Sequence, residues 1–101
     1  MDDKVGSKND VSIRLTDERW AHITEEHCEL AGLRAEVLET VSAPHQILLG
    51  TRGEMIAVRE LEVGKFLVVP YRESGKDGFI ITAFLTRRGE SLQRRKQLWL
   101  S

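Results

Sequence analysis

Two histidines lie in a stretch rich in carboxylates, RLTDERWAHITEEH, and they are the first candidates for chemistry in this sequence. The stretch predicts a helix over about residues 17–30, with Thr16 or Asp17 as its N-cap. His22 and His27 are five positions apart, which places their rings about 140° apart around a regular helix. Such a pair cannot bind one metal ion, and the spacing also differs from the zinc protease motifs. We therefore predict no metal site.

Each histidine has both a structural and a catalytic interpretation. His27 falls on the apolar side of the predicted helix, where it either hydrogen-bonds the backbone at the core edge or points into a cleft. His22 falls among glutamates, where it either pairs with Glu18 or Glu26 at helical spacing or belongs to a site. An unperturbed imidazole has a pKa near ~6.5, which suits general acid–base catalysis. Both histidines therefore remain catalytic candidates.

Basic residues near the C-terminus are candidate ligands for a phosphate group. Arg87, Arg88, Arg94, Arg95 and Lys96 lie close together in the sequence, and the alternative is a solvated surface. Arg52 is at a predicted hairpin turn, and Arg59 and Tyr71 alternate with apolar residues in predicted strands. Thr82 lies inside an otherwise apolar predicted strand, where it either reflects β propensity or hydrogen-bonds a phosphate.

The elements that would position these side chains follow from a change of period along the chain. A second helix is predicted at 33–42, and a closing helix at 90–100. Between them the apolar residues alternate with a period of two, and short turns separate the runs. Pro70 lies inside one run and indicates an edge or a bulge there. The predicted strands are 46–51, 54–61, 65–72 and 79–86.

These elements predict a fold class and a domain organisation. The order of helix, helix, four strands and helix is typical of an α+β domain. We expect two N-terminal helices and a C-terminal helix packed on a four-stranded antiparallel meander sheet, because short links join antiparallel neighbours. A weaker alternation at 11–15 is compatible with a short strand. The single domain is predicted to span 11–101, after a disordered polar tail at 1–10.

Composition places the chain among globular proteins of the cytoplasm. It has 101 residues, of which 41% are hydrophobic and 31% are charged, as in ordinary soluble domains. The single cysteine, Cys28, excludes an internal disulfide and fits a reducing compartment. No signal peptide pattern is present, and no apolar run approaches the ~20 residues needed to cross a membrane. We expect a cytoplasmic protein with no membrane partner.

Charge is distributed unevenly between the two halves of the chain. Residues 1–43 carry ten acidic and five basic residues, whereas residues 44–101 carry six acidic and ten basic residues. A folded chain of this kind can present two surfaces of opposite sign. The basic half is compatible with binding to phosphate groups.

Five motifs along the chain carry a resemblance to a known group of proteins. They are RLTDERWAHITEEHCEL, VSAPHQI, GEMIAVRE, FLVVPYRE and DGFIITAFLTRR, and a basic tail follows them. Together they resemble the BECR group of small bacterial and phage nucleases. This group includes barnase, EndoU, colicin and RelE-like nucleases, PBECR-type domains and BrnT-like toxins. The resemblance covers roughly residues 11–98.

The resemblance implies a RelE/barnase-like fold and metal-independent cleavage of RNA without a cofactor. In that chemistry the ribose 2′-hydroxyl attacks the adjacent phosphate, and the products are a 2′,3′-cyclic phosphate and a 5′-hydroxyl. A histidine of the first helix would be the base or the acid. Arg52 or Arg59, together with Arg87, would hold the phosphate. Tyr71 and Thr82 would orient the phosphate or a base, and Thr82 in ITAF matches a threonine of the last strand in these domains.

Two functional hypotheses from different classes follow. The first is an endoribonuclease of the toxin–antitoxin type, with RNA as substrate and a cognate acidic antitoxin as partner. The alternative is a non-catalytic protein-binding or regulatory module on the same fold. An unrelated enzyme and a nucleic-acid-binding domain without catalysis also remain. The first hypothesis requires a histidine, an arginine and Tyr71 or Thr82 around one concave basic surface, and the sequence leaves the oligomeric state open.

Overall fold

The computed structural model describes residues 2–101, and Met1 lies outside the described part of the chain. Within residues 2–101 the chain forms three α-helices, one short 3₁₀ helix and eight β-strands. In chain order the elements are β1 (Asp3–Gly6), β2 (Ser12–Leu15), α1 (Asp17–Glu26), the 3₁₀ helix (Cys28–Leu30), α2 (Arg34–Ser42), β3 (Gln46–Leu49), β4 (Met55–Glu62), β5 (Lys65–Ser74), β6 (Asp77–Ile80), β7 (Phe84–Thr86), α3 (Gly89–Gln93) and β8 (Gln97–Leu100).

All the strands belong to one mixed sheet, so the predicted four-stranded antiparallel meander is wrong. The strand order is β1-β2-β6-β5-β4-β3-β8, and β7 pairs with β5 off this path. Neighbours are antiparallel except β2 and β6, which are parallel. The long connection from β2 through the helices to β6 permits the parallel pairing. Consecutive antiparallel pairing is found from β3 to β6, within this larger sheet.

The N-terminal segment contributes more to the sheet than its composition indicates. The region for which the sequence predicts a disordered tail contains β1, which pairs with β2 from Asp3↔Leu15 to Gly6↔Ser12. Both strands are short, and only β2 alternates clearly between buried and exposed residues. β1 pairs locally with β2, and β2 in turn pairs with the distant strand β6, a contact that no local pattern in the sequence reports.

The predicted closing helix at 90–100 is half helix and half strand. α3 ends at Gln93, and the following segment forms β8 against β3. Leu98 and Leu100 are exposed and Trp99 between them is half-buried, which is the period of a strand. Pairing with β8 satisfies the backbone groups along an edge of β3 that would otherwise be open.

The predicted strand at 79–86 is divided into β6 and β7 by an irregular segment. β6 pairs with the end of β5 as far as Tyr71↔Ile80, and β7 pairs with its beginning as far as Val68↔Phe84. Pro70 lies between these two pairings and accepts a hydrogen bond from the Ile81 N–H at 2.9 Å. Proline has no N–H to return the bond on that side, so the ladder is interrupted. The irregularity that Pro70 predicts is therefore present.

Two helices cover one face of the sheet and enclose the main core. Thr16, one of the two predicted caps, begins α1, and its hydroxyl accepts the Arg19 N–H at 3.0 Å. α1 ends at Glu26, four residues earlier than predicted, and the 3₁₀ helix follows His27. α2 matches its prediction closely. Within residues 2–101, no helix is long and apolar enough to cross a membrane.

Alternation along the central strands divides the apolar residues into two layers. The layer beneath the helices is built from residues such as Ile13, Leu15, Ile23, Val37, Ala57, Leu67, Val69 and Tyr71. A smaller cluster lies on the opposite face of the sheet, beneath α3. Its buried members are Leu48, Ile56, Val58, Val68 and Leu92.

The loop between β1 and β2 reaches the far edge of the sheet. The Lys8 Nζ atom lies 5.0 Å from the centroid of the Trp99 ring in β8, although β1 and β8 are at opposite ends of the strand order. On the way the loop contacts β5, where Asn9 Nδ2 donates to Glu73 Oε1 at 3.0 Å. The sheet is therefore curled. On its second face, the helix that packs on it is α3.

Candidate functional site

A cleft of about 260 Å³ opens on the second face of the sheet, beside α3. Its floor is apolar and comes from the central strands, and four polar side chains stand at its rim. This arrangement of an apolar surface with a few polar groups is typical of ligand sites. The residues lining it are Glu54, Ile56, Val68, Pro70, Phe84, Thr86, Ser91, Leu92 and Arg95.

The period of the central strands sets the floor of this cleft. Ile56 of β4 is paired with Pro70 of β5, so both side chains project from the same face. Tyr71 is the next residue along β5, so it points to the opposite face. The turn from Gly50 to Glu54 stands at the start of β4 and places a carboxylate beside the apolar floor.

α3 supplies the other wall. Leu92 is 6% exposed and anchors the helix in the second apolar cluster. A Cβ at Gly89 would lie 3.0 Å from the Phe66 ring, so glycine lets the helix approach the sheet closely. This docking carries Ser91 and Arg95 to the rim of the cleft. The Ser91 hydroxyl donates to the Arg88 carbonyl at 2.8 Å, which fixes it within its own turn.

Glu54 is held over its own turn by backbone hydrogen bonds. Its Oε1 accepts the Arg52 N–H at 2.9 Å, and its carbonyl accepts the Gly50 N–H at 2.8 Å. A Cβ on Gly50 would collide with the Glu54 carboxylate, so this glycine makes room for it. Hydrogen bonds from the Arg52 N–H and its own N–H, then the charges of Arg72 and Arg95, lower the pKa of Glu54 below its usual value.

Two arginines, Arg72 and Arg95, act on the Glu54 carboxylate through their charge. Neither takes part in an ion pair closer than 4.0 Å anywhere in residues 2–101. Arg95 lines the cleft, so its guanidinium group is accessible to an anionic ligand there. Arg72 stands beside the lining residues, and its Nη2 donates to the Arg52 carbonyl at 3.4 Å. Together with Glu54, the two arginines combine a proton acceptor with groups that bind phosphate.

Neither of the two predicted histidines lines the cleft. His22 is exposed on α1, and its Nε2 pairs with Glu26 Oε1 at 2.8 Å, which is the surface pairing that its spacing allows. His27 follows the end of α1, half-buried, with Nδ1 3.7 Å from Glu29 Oε2. Its ring centroid is 6.1 Å from that of Phe84, which lines the cleft. His27 is thus beside the site, whereas His22 is on the acidic helix face.

The predicted hydroxyl residues also differ in position. Tyr71 has no exposed surface, and its hydroxyl has no hydrogen-bond partner within residues 2–101. Burial, and then the charge of Glu73, raises the pKa of Tyr71. It lies on the helix-covered face and cannot contact a ligand in the cleft. Thr82 is half-buried in the irregular segment between β6 and β7.

The five predicted arginines are not brought to one place. Arg59 fastens α2 to β4, with Nη1 donating to the Ala43 carbonyl at 2.6 Å and Nη2 3.1 Å from Glu39 Oε1. Arg52 is exposed in the turn that holds Glu54. The other three are exposed and flank α3, namely Arg87, Arg88 and Arg94.

The sequence pattern did not single out Glu54 or Arg72, and it offered Arg95 only as a member of the basic C-terminal run. The alternation of β5 contained a signal for one of them, because Arg72 shares a face with Pro70 and not with Tyr71. Arg95 belongs to a visible basic run, but its position depends on where α3 ends. The approach of Glu54 to both arginines is a tertiary contact, which no local pattern reports.

Comparison with known proteins assigns neither a family nor a function to this chain. No protein-family model, no curated protein and no solved structure matches this chain. Among residues 2–101, no three His, Cys, Asp or Glu side chains are grouped so that they could hold a metal ion.

Proposed function

We propose that this protein is a metal-independent endoribonuclease of the toxin–antitoxin type, with the cleft as its RNA site. In the reaction the ribose 2′-hydroxyl oxygen attacks the adjacent phosphorus and loses its proton. The bond from phosphorus to O5′ then breaks, which leaves a 2′,3′-cyclic phosphate and a 5′-hydroxyl. The observation that carries the proposal is the carboxylate of Glu54 at an open cleft, under the charges of Arg72 and Arg95.

Each step has a candidate group in or beside the cleft. Glu54 takes the proton of the 2′-hydroxyl, and Arg72 and Arg95 stabilise the negative charge that develops on the phosphorane. Thr86 and Ser91 at the rim offer hydroxyl groups to the phosphate oxygens. No histidine is among the described residues that line the cleft. We therefore assign the protonation of the leaving O5′ to water.

Binding of RNA would turn Glu54 into a stronger base. In the free cleft its pKa is low, in part because two cations stabilise the carboxylate. A bound phosphate neutralises those cations and adds a negative charge nearby, and both changes raise the pKa of Glu54. The carboxylate therefore gains proton affinity when the 2′-hydroxyl is in place, which is the condition that general base catalysis requires.

The sequence supports this reaction independently of the cleft. The motifs RLTDERWAHITEEHCEL and DGFIITAFLTRR resemble nucleases of the BECR group. The basic residues around α3 suit both RNA and an acidic antitoxin that would cover the cleft by charge complementarity. A cytoplasmic location is part of the same proposal. The proposed catalytic base differs from the one that the resemblance implies. The resemblance implies a histidine, whereas the side chain at the cleft is Glu54.

Incubation of the purified protein with bulk cellular RNA in excess EDTA tests the proposal. We expect cleavage that EDTA does not inhibit, and products that end in a 2′,3′-cyclic phosphate and a 5′-hydroxyl. Arg95→Ala should reduce the rate strongly, because it removes a cation at the developing charge. Arg19→Ala on α1 is the matched control, since it removes an exposed arginine far from the cleft. Intact RNA after incubation with folded protein, with or without ribosomes, would contradict the proposal.

A second candidate function is the non-catalytic protein-binding module, and one observation favours it. β8 forms one end of the sheet order, and Leu98 and Leu100 on it are 43% and 63% exposed. An open edge strand can accept a further strand from a partner protein. The neighbouring residues Arg94, Arg95 and Lys96 would favour an acidic partner. Absence of cleavage by the folded protein would leave this function as the better account.

A further inference from the structure

A second pocket adjoins the cleft at β7. It has a volume of about 330 Å³ and is lined by Glu29, Lys65, Leu85, Thr86 and Arg87. Thr86 lines both this pocket and the cleft. The two concavities are therefore neighbours, with β7 between them. No residue of the second pocket other than Thr86 has a part in the proposed reaction.

Two cations, Lys65 and Arg87, line this pocket together with the carboxylate of Glu29. Lys65 precedes Phe66 and Arg87 follows Thr86, and Phe66 and Thr86 are paired between β5 and β7. On its other side Lys65 is paired with Glu62 of β4. Neither Lys65 nor Arg87 forms an ion pair closer than 4.0 Å within residues 2–101. Both side chains can donate charge-assisted hydrogen bonds to a phosphate.

The free edge of β7 connects the two pockets. β7 pairs with β5 on one side only, and its other side has no strand in the described chain. Phe84 lines the cleft at this edge, and the half-buried ring of His27 lies beside it with 6.1 Å between the ring centroids. Aromatic rings beside cationic groups are the usual means by which proteins bind unpaired bases.

We infer that a single strand of RNA crosses β7 from the cleft into the second pocket, where Lys65 and Arg87 bind a phosphate neighbouring the scissile one. The inference rests on the proposed function, because the cleft holds the scissile phosphate. The substrate is then unpaired RNA longer than a dinucleotide, since a dinucleotide has no further phosphate to reach the second pocket. His27 acts here as a surface for a base and not as an acid or a base.

Binding of fluorescently labelled 2′-O-methyl oligouridylates tests this path without cleavage. The double variant Lys65→Ala/Arg87→Ala should bind an octanucleotide about tenfold more weakly than the wild type, because it loses a charge-assisted contact. The slope of log affinity against log salt should also fall by about 0.7, as expected for one phosphate contact of a single strand. Affinity for the dinucleotide should not change.

The matched control is Arg14→Ala/Arg19→Ala, which removes two exposed arginines outside both pockets. Equal weakening by the control and test variants, or equal octanucleotide binding by the test variant and the wild type, would overturn the inference. Thermal unfolding of both variants checks that they are folded. The cleavage assay tests the proposed function separately. If the proposed function is wrong and the path is right, RNA stays uncleaved but binding still depends on oligonucleotide length. If the Lys65→Ala/Arg87→Ala variant cleaves RNA of every length as fast as the wild type, the proposed function stands and the proposed RNA path is rejected.

Discussion

The carboxylate of Glu54 has a pKa that depends on what occupies the cleft. Backbone N–H groups and the charges of Arg72 and Arg95 lower it in the free protein. A phosphate bound to those arginines reverses the second effect. The same residue also holds the turn from Gly50, because its side chain accepts the Arg52 N–H. Glutamine at this position keeps the acceptor and loses the proton affinity.

The pH dependence of cleavage reports these two states of Glu54. kcat/KM reflects the free protein, so its acid limb should lie below the ordinary glutamate pKa of about 4.3. kcat reflects the RNA-bound protein, so its acid limb should lie at higher pH. In both profiles activity falls as pH falls, because the base becomes protonated. Steady-state rates across the pH range provide the test, with circular dichroism as the control for folding. An acid limb near ~6.5 in both profiles would point to a histidine instead.

Tyr71 gives a prediction about stability. Its buried hydroxyl has no hydrogen-bond partner in residues 2–101, and an unpaired buried polar group destabilises the folded state. Tyr71→Phe should therefore raise the free energy of unfolding by about 1 kcal/mol and leave RNA cleavage unchanged. Tyr71→Ala, which leaves a cavity, should lower it by about 3 kcal/mol or more. Urea denaturation measures both. A large loss of activity in Tyr71→Phe would restore it as a candidate site residue.

Among single residues, the sequence identified chemical types better than positions. It predicted that His22 pairs with a glutamate, and the structure contains the pair with Glu26. It placed Tyr71 in a site, although the side chain is in the core. Whether a strand residue faces a core or a cleft depends on which face the helices cover. That choice is made by tertiary packing.

At the scale of elements, strong local patterns predicted α1, α2 and the run from β3 to β5. The sequence failed where an element depends on a distant partner. β8 is a short edge strand that pairs only with the distant β3, and β1 is a short edge strand that pairs only with β2, which itself pairs with the distant β6. The division of 79–86 into β6 and β7 follows from Pro70 on the facing strand. Intrinsic propensity is too weak to decide such cases.

Arg59 connects two elements, and its substitution should affect stability and not RNA binding. It donates to the Ala43 carbonyl at the end of α2 and pairs with Glu39. Arg59→Ala should lower the free energy of unfolding by about 1 kcal/mol. Glu39→Gln, which retains the bond to Ala43, should have a smaller effect. Denaturation and RNA affinity are measured on both variants. A loss of RNA affinity at unchanged stability would assign Arg59 to the phosphate site.

At the scale of the whole molecule, the two halves of opposite charge are only partly separated. Six acidic residues of the first half lie on α1 and α2, which cover one face of the sheet. Of the basic residues of the second half, Arg88, Arg94 and Arg95 flank α3, whereas Arg59 pairs with Glu39 of α2. The asymmetry was visible in the sequence, but the curled mixed sheet that partly separates the charges was not. A protein with near-neutral net charge can thus present one surface suited to RNA.

The measurement that tests the central claim most directly compares cleavage of bulk RNA in EDTA by the wild type, Glu54→Gln, His22→Ala and His27→Ala. The account predicts that Glu54→Gln lowers the rate by about 10²-fold or more, as loss of a general base does. His22→Ala should cleave like the wild type, and His27→Ala should retain activity on a dinucleotide. Full activity in Glu54→Gln, together with loss of activity in either histidine variant, would contradict the account and move the reaction to the helix side of the sheet.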